Sequence, residues 1–355
     1  MTRHLLITGG CGFIGSNFVR FIRQTRPDWR LTNVDVLTYS GNLENLEDLT
    51  ESDDRYRFVK GDICDRAVLH PLITEADAVV HLAAESHVDR SILDSRPFVQ
   101  TNVLGTQTLL DALRRAQAND GRPRRFVYVS TDEVYGSLPL DDPDNKFTEQ
   151  TPLDPRSPYA ASKAAGDQMT LAYFHTFGMD VAVTRCSNNL GPYQFPEKVI
   201  PLFVTNLMDG EKVPLYGDGK NVRDWIHVDD HCEALLAVLE RGQAGEVYNV
   251  GGNNERSNIE LTLAILELMG CGKEMITYVK DRPGHDRRYA IDASKIEADL
   301  GWKPTRSAWP EALRETVDWY RANRTWWERV KSGAYRDYYK QQYGARIGAA
   351  CACED

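Results

Sequence analysis

Paired cysteines are the first thing missing from this chain. Its seven, Cys11, Cys64, Cys186, Cys232, Cys271, Cys351 and Cys353, are odd in number and scattered, with no C-x-x-C. A disulfide framework and a cysteine-built zinc site are thereby excluded, and reduced thiols are expected. The terminal CACED reads as a frayed tail rather than a soft-metal site, so no metal is expected. No apolar run reaches the roughly 20 residues of a spanning helix. The opening MTRH leads directly into a short apolar strand, without the layout of a signal peptide. A cytoplasmic protein with no membrane partner is the expectation. Positive charge is also in deficit, with 42 Lys and Arg against 52 Asp and Glu and a net charge of −10. A nucleic-acid partner therefore has no global electrostatic support and is not expected, whereas a small anion needs only local basic groups. One stretch runs the other way, DWYRANRTWWERV at 318–330. Its Trp319, Trp326 and Trp327 read as one packed helix face rather than an RNA platform. Internal repeats and low-complexity segments are absent too.

What is present is a chain of 355 residues, 42% hydrophobic and 26% charged, enough for one large or two ordinary globular domains. Short apolar runs alternate with helical patterns through its first half. HLLITGG (4–10), RLTNVDV (30–36), RYRFVKGDI (55–63), AVVHLAA (78–84), RFVYVST (125–131) and VAVTRCS (181–187) read as strands. Segments 14–26, 65–75, 98–118 and 157–178 read as helices. Such alternation predicts an α/β fold, a doubly wound parallel sheet of Rossmann type covered on both faces. Ligands of such sheets gather at the carboxyl ends of the strands. After residue 188 the texture turns to loops rich in proline, glycine and charge, such as GPYQFPEKVIP and DRPGHDRRYAID. The expected division is a nucleotide-binding domain over 1–188, a returning segment near 224–252, and a smaller interleaved α/β substrate domain over 189–355.

Two constellations carry chemistry. In TGGCGFIGSNFVRFI, Gly9, Gly12 and Gly15 stand between the first strand and the first helix. There they serve a tight turn, close approach of backbone to a pyrophosphate, and close helix–sheet packing, with Phe13 and Ile14 opening the helix that faces the phosphates. Asp35 ends the next strand, about 20 residues past Gly15. An acid there accepts from an adenosine ribose and repels a 2′-phosphate, which favours NAD over NADP. Asp62 and Ile63, after the third strand, are placed for the adenine edge, and Leu82, Ala83 and Ala84 run along the cofactor. The second constellation is Tyr159 and Lys163 in SPYAASKAAGDQ, four apart and so on one helix face. A lysine ammonium beside a phenol favours phenolate and predicts a lowered tyrosine pKa. Between them in sequence, STDEVYG ends a buried strand with Thr131, Asp132 and Glu133. Two carboxylates at the rim of a core are costly unless solvated or used.

Together these motifs resemble the extended short-chain dehydrogenase/reductase superfamily, whose members act mainly on nucleotide sugars with tightly held NAD. STDEVYG, LAAESHVDRS, YAASKAAGDQ, SNNLGPYQFPEKVIP, RDWIHVDDH and DRPGHDRRYAID are similar, in order and over nearly the whole chain, to the dTDP-glucose 4,6-dehydratase family within it. The departure is Leu190, where that family usually has tyrosine. The resemblance implies a lyase that oxidises C4 of dTDP-glucose, eliminates water across C5–C6 and returns the hydride to C6, for deoxysugar biosynthesis such as that of rhamnose. It implies Tyr159 as the base for the 4-hydroxyl, held by Lys163 and Thr131, with Glu133 as the base at C5 and Asp132 as the acid for the 6-hydroxyl. It places Thr101 and Asn189 in the cofactor pocket, and Ser86, His87, Asn188, Lys198, Arg223, Asn258, Arg282, His285 and Tyr343 on the substrate, alongside Thr131, Asp132 and Glu133. It also implies a homodimer built on the helices near 98–118 and 157–178. A UDP-hexose 4-epimerase or a UDP-glucose 4,6-dehydratase is the neighbouring reading, and a non-catalytic NAD-binding scaffold is the reading of another class. An epimerase needs no elimination pair and a scaffold needs neither Tyr159 nor Lys163; nothing in the spacing separates thymine from uracil.

Overall fold

The structure, a computed structural model, describes residues 3–49 and 54–331. Tyr343, Cys351, Cys353 and the CACED tail lie outside the described residues. The strands are β1 (His4–Thr8), β2 (Arg30–Asp35), β3 (Tyr56–Lys60), β4 (Ala78–His81), β5 (Arg125–Thr131), β6 (Val181–Cys186), β7 (Asn188–Leu190), β8 (Val213–Tyr216), β9 (Val222–His227), β10 (Val247–Val250), β11 (Glu255–Ser257) and β12 (Ile276–Val279). Seven of them form one sheet in the order β10-β6-β5-β4-β1-β2-β3. Every pairing within it is parallel.

Alternation along each strand explains why the sheet needs cover on both sides. In β1, Leu5 and Ile7 enter the core under the Phe13–Thr25 and Val228–Arg241 helices, together with Phe18, Ile22, Leu235 and Val238. Leu6, between them, points to the opposite core, which the Arg66–Glu75, Thr106–Asp120 and Pro158–Phe177 helices close with Leu69, Leu109, Leu113 and Tyr173. Each such fully buried aliphatic side chain stabilises the fold by about 1.5–3 kcal/mol. The strand order reverses between β1 and β4, which opens a crevice at their carboxyl ends. The predicted 98–118 helix starts as a short turn, Arg96–Phe98, and runs as a π-helix from Val99 to Gly105 before becoming α-helical over Thr106–Asp120. The wide turn fits Gly105 against Ile63, where a Cβ would come within 2.5 Å of the Ile63 Cδ1.

The rest of the chain builds a three-stranded sheet, β11-β9-β7, and a parallel pair, β12-β8. Their core gathers Leu202, Phe203, Trp225, Leu261, Ile265 and Val317 beneath the Val199–Met208, Asn258–Met269 and Glu311–Ala322 helices. Leu190, the departure from the family pattern, is 1% exposed and packs in this core. The aromatic stretch at 318–330 is not one helix face. The chain breaks at Asn323 (φ −115°, ψ 41°) between the Glu311–Ala322 and Arg324–Val330 helices. The break folds Trp326 back edge-on to Trp319 at 5.2 Å, and both meet Tyr193. No helix among the described residues is long and apolar enough to cross a membrane.

Candidate active site

A single cleft of about 470 Å³ runs along the carboxyl edge of the large sheet and under the loops of the smaller one. At one end is the glycine-rich turn. Gly9 has φ +74°, and a Cβ there would come within 2.6 Å of the Ala83 backbone. A Cβ on Gly15 would sit 2.1 Å from the Gly9 carbonyl oxygen. Both glycines therefore serve the close crossing of turn, helix and β4 segment. Gly12 is different, because its Cβ would meet only Gly9 O at 3.4 Å. It caps the Phe13–Thr25 helix without a side-chain partner. An open cradle in front of uncapped helix amides suits a phosphate. Asp35, buried at the end of β2, accepts from the Cys11 N–H at 2.9 Å and the Leu37 N–H at 2.8 Å, one on each carboxylate oxygen. Each oxygen keeps a lone pair for a ribose hydroxyl. Asp62, Ile63, Leu82, Ala83, Ala84 and Thr101 complete this end. Asn102 fastens it: its side chain exchanges two hydrogen bonds of 2.9 Å with the Glu85 backbone and donates to the Ser162 hydroxyl at 2.8 Å. The turn bearing Thr101, the 82–86 segment and the Pro158–Phe177 helix are thus tied together, and this end fits a dinucleotide.

Strand β5 delivers the acid pair to the middle of the cleft. The Thr131 hydroxyl accepts from the Glu133 N–H at 3.4 Å and donates to Asp132 Oδ1 at 3.2 Å. Asp132 Oδ2 is buried without a hydrogen-bond partner among the described residues. Burial pushes the Asp132 carboxyl well above its ordinary range, Glu133 and Asp224 add to the rise, and Arg223 opposes it. Burial also raises Glu133, but Arg282, Arg223 and Lys198 all pull against it. Adjacent carboxyls thus meet unequal surroundings: burial and neighbouring acids raise the proton affinity of one strongly, while the other is ringed by cations.

Tyr159 and Lys163 come from the first turns of the Pro158–Phe177 helix. Ser157 starts that helix by accepting from the Ala160 N–H at 3.0 Å, with Pro158 in the first position. The Lys163 ammonium donates to the Val129 carbonyl at 2.7 Å and lies 4.2 Å from the Tyr128 ring centroid. Burial brings its pKa down to about 8. The expected lowering of Tyr159 is not found. Burial holds the phenol well above its ordinary value, Glu133 adds to the rise, and a hydrogen bond with Thr131 opposes it. The lysine is spent on a backbone carbonyl, and desolvation is the larger effect.

At the far end the cleft turns cationic. Arg223 is braced by the Asp286 carbonyl at 3.0 Å and stacks over Tyr289 at 4.1 Å. Arg282 lies 3.9 Å from Asp89. His285 pairs with Asp281 at 2.6 Å, yet burial brings it down to about 4, so it is neutral at physiological pH. Lys198 donates to the Ser86 carbonyl at 2.9 Å. His87, Asn188 and Asn258 line the same region. Asn189 lines it too, with its side chain engaged by the Ser187 carbonyl and His231, each at 2.9 Å. Apart from Tyr343, outside the described residues, the cleft brings together every residue singled out from the sequence as cofactor- or substrate-facing. Sequence reasoning missed Glu85, Asp89, Glu197, Tyr216, Trp225 and Tyr289, which also line it. Glu85, Asp89, Glu197, Trp225 and Tyr289 stand inside motifs quoted above and were within reach. Tyr216 carries no local signal.

The profile of the GDP-mannose 4,6 dehydratase family matches residues 6–316. A dTDP-glucose 4,6-dehydratase of Streptomyces niveus is 52% identical over 332 residues, which cover 92% of this chain and 96% of that one. The same enzyme of Shigella flexneri is 49% identical over 361 residues, covering 96% and 99%. Among solved structures, the Streptomyces venezuelae dTDP-glucose 4,6-dehydratase with NAD and dTDP bound superposes with a TM-score of 0.87. It is 51% identical, and the match covers 92% of this chain and 100% of that one.

Proposed function

The chain belongs to the dTDP-glucose 4,6-dehydratase family, and from that premise we propose that it converts dTDP-glucose to dTDP-4-keto-6-deoxyglucose and water with NAD as cofactor. NAD, when bound, supplies the hydride acceptor for C4 and the donor for C6. The chain's own groups do the proton work. Tyr159, hydrogen-bonded to Thr131, is the base for the 4-hydroxyl. Its raised pKa makes it a phenol, so it must first give up its own proton, which the Lys163 ammonium and the positive charge of a bound oxidised nicotinamide would favour. A ketone at C4 acidifies the C5 proton, and Glu133 removes it. The leaving 6-hydroxyl departs as water only if protonated, and Asp132 is the carboxyl whose surroundings raise its proton affinity most clearly. The diphosphate is met by Arg223 and Arg282, whose planar forks match two oxygens, with Lys198 nearby. The observation that carries this reading is the unequal Asp132–Glu133 pair sharing one cleft with Tyr159 and Lys163. An epimerase has no use for that pair.

We also propose a domain boundary near residue 188, with the segment near 224–252 returning to the first domain. We read the protein as cytoplasmic, in keeping with the free cysteines among the described residues, and as a homodimer through its apolar helical face. The test is dTDP-glucose deuterated at C4: the label should reappear at C6 of the product, and its washout to solvent would overturn the scheme. A parallel panel of dTDP-, UDP- and CDP-glucose reads the base preference, and turnover confined to UDP-glucose would favour the uridine-specific relative.

A further inference from the structure

Three segments that line the cleft are fastened to one another through Glu197, itself part of the lining. The first, residues 36–42, follows β2, and its Thr38, Ser40 and Gly41 line the cofactor end. The second is the Val88–Leu93 helix, which continues from the 82–87 segment running along the cleft. The third is the 192–198 loop, whose Phe195, Glu197 and Lys198 line the substrate end. The Tyr39 hydroxyl donates to Glu197 Oε1 at 3.0 Å. The Arg90 Nε donates to Glu197 Oε2, also at 3.0 Å. The Arg90 guanidinium lies 3.9 Å from the centroid of the Tyr39 ring, which closes the triangle. Tyr39 also meets Phe195 edge-on at 5.5 Å. Glu197 is buried, with its side chain 2% exposed. Burial, with Glu197 and Glu85 adding to it, pushes the Tyr39 phenol well above its ordinary range, so it stays a donor at neutral pH.

We propose that Tyr39, Glu197 and Arg90 form a positioning clasp that keeps NAD in the cleft from the first step of the cycle to the last. This rests on the reading that NAD occupies the glycine-rich end. The chemistry calls for such a device. The hydride removed from C4 must return to C6 of the same sugar, so the cofactor has to outlast two keto intermediates. Tyr39 and Arg90 stay outside the cleft lining, and they act through the segments they join. Their geometry sets the position of Thr38, Ser40 and Gly41 on one side and of Lys198 on the other. Opening the cofactor end then requires breaking contacts to a buried carboxylate, and the substrate loop shares that restraint.

The experiment uses holoenzyme charged with isotopically labelled NAD and measures its exchange against unlabelled NAD. Tyr39→Phe removes one hydrogen bond to a charged acceptor and keeps the ring under Arg90. Such a bond contributes about 1.5–3 kcal/mol, so exchange should quicken about tenfold or more. Glu197→Gln keeps the side-chain shape and removes the charge, and it should quicken exchange as well. Tyr39→Phe should turn over as wild type does once NAD is in excess, with melting at saturating NAD lowered no more than the loss of that one hydrogen bond accounts for. Substrate that is deuterated at C4 and also carbon-13-labelled in the hexose, mixed with unlabelled substrate, should give crossed products (deuterium on a carbon-12 sugar) only in the variants. Exchange no faster than wild type in both variants would overturn the clasp while leaving the dehydratase reading intact. Wild-type protein that retains no labelled NAD would overturn the reading beneath it and the clasp with it.

Discussion

At the scale of single residues, Asp132 is the group whose environment says most. Its carboxyl is buried, one oxygen has no partner among the described residues, and Glu133 and Asp224 raise its proton affinity further. The folded protein therefore holds a proton that the unfolded chain releases once pH exceeds the ordinary value of 3.8. Folding takes up that proton, so this residue makes stability fall as pH rises above about 4. Asp132→Asn removes the effect and leaves a neutral side chain of the same size. The variant should melt at a higher temperature than wild type at pH 7, and the gap should shrink towards pH 4. It should also form the 4-ketone while losing elimination, by about 10²–10⁴-fold if proton transfer is its role. A melting point below wild type at pH 7 would mean that Asp132 is ionised in the folded enzyme. Glu133→Gln should likewise block loss of water while leaving C4 oxidation measurable as transient reduced cofactor, and normal product formation would remove Glu133 from the base role.

At the scale of elements, the glycine-rich turn separates two jobs that a motif blurs. A Cβ at position 15 collides with backbone, whereas one at position 12 meets a single atom at 3.4 Å and otherwise fills the cradle. Gly15→Ala should destabilise the fold by about 1–3 kcal/mol or more through overpacking. Gly12→Ala should melt as wild type does without NAD yet bind NAD far more weakly, as titration calorimetry would read. Equal losses of stability in the two variants would contradict the division. The turn was legible in the sequence because glycine spacing, strand and helix all act within a few residues. So were the six strands of the first half, since each is a short apolar run. The break at Asn323 was not legible, because Trp319, Trp326 and Trp327 fit a single helical face until Tyr193 comes in from elsewhere in the chain. The raised Tyr159 pKa was hidden for a related reason. Spacing brings a lysine near, but only the assembled core shows how little water the phenol keeps. Roles for individual cleft residues came from a family pattern, which gives identities without surroundings.

At the scale of the whole molecule, the face formed by the Val88–Leu93 helix and the π-helical turn is underused. Leu93, Val99 and Leu104 are 56%, 55% and 47% exposed, although the chain carries charge enough to cover such positions. A second copy would bury them. If the proposed homodimer uses this face, wild type should sediment as a dimer and the double variant Val99→Lys, Leu104→Lys as a monomer. Because Thr101 sits on the same turn and lines the cleft, NAD affinity should fall in the monomer. A variant that still dimerises would place the contact elsewhere.

The sheet order also governs how the protein comes into being. β6 is complete at Cys186, but its outer neighbour β10 is not made until Val247–Val250. On the ribosome, every chain passes through a stage in which β6 is a bare edge, open to pairing with another nascent chain. Ribosome-held chains ending before Val247 should therefore cross-link to one another through β6 more readily than chains ending just past β10, both of which leave Leu202, Phe203 and Trp225 uncovered alike.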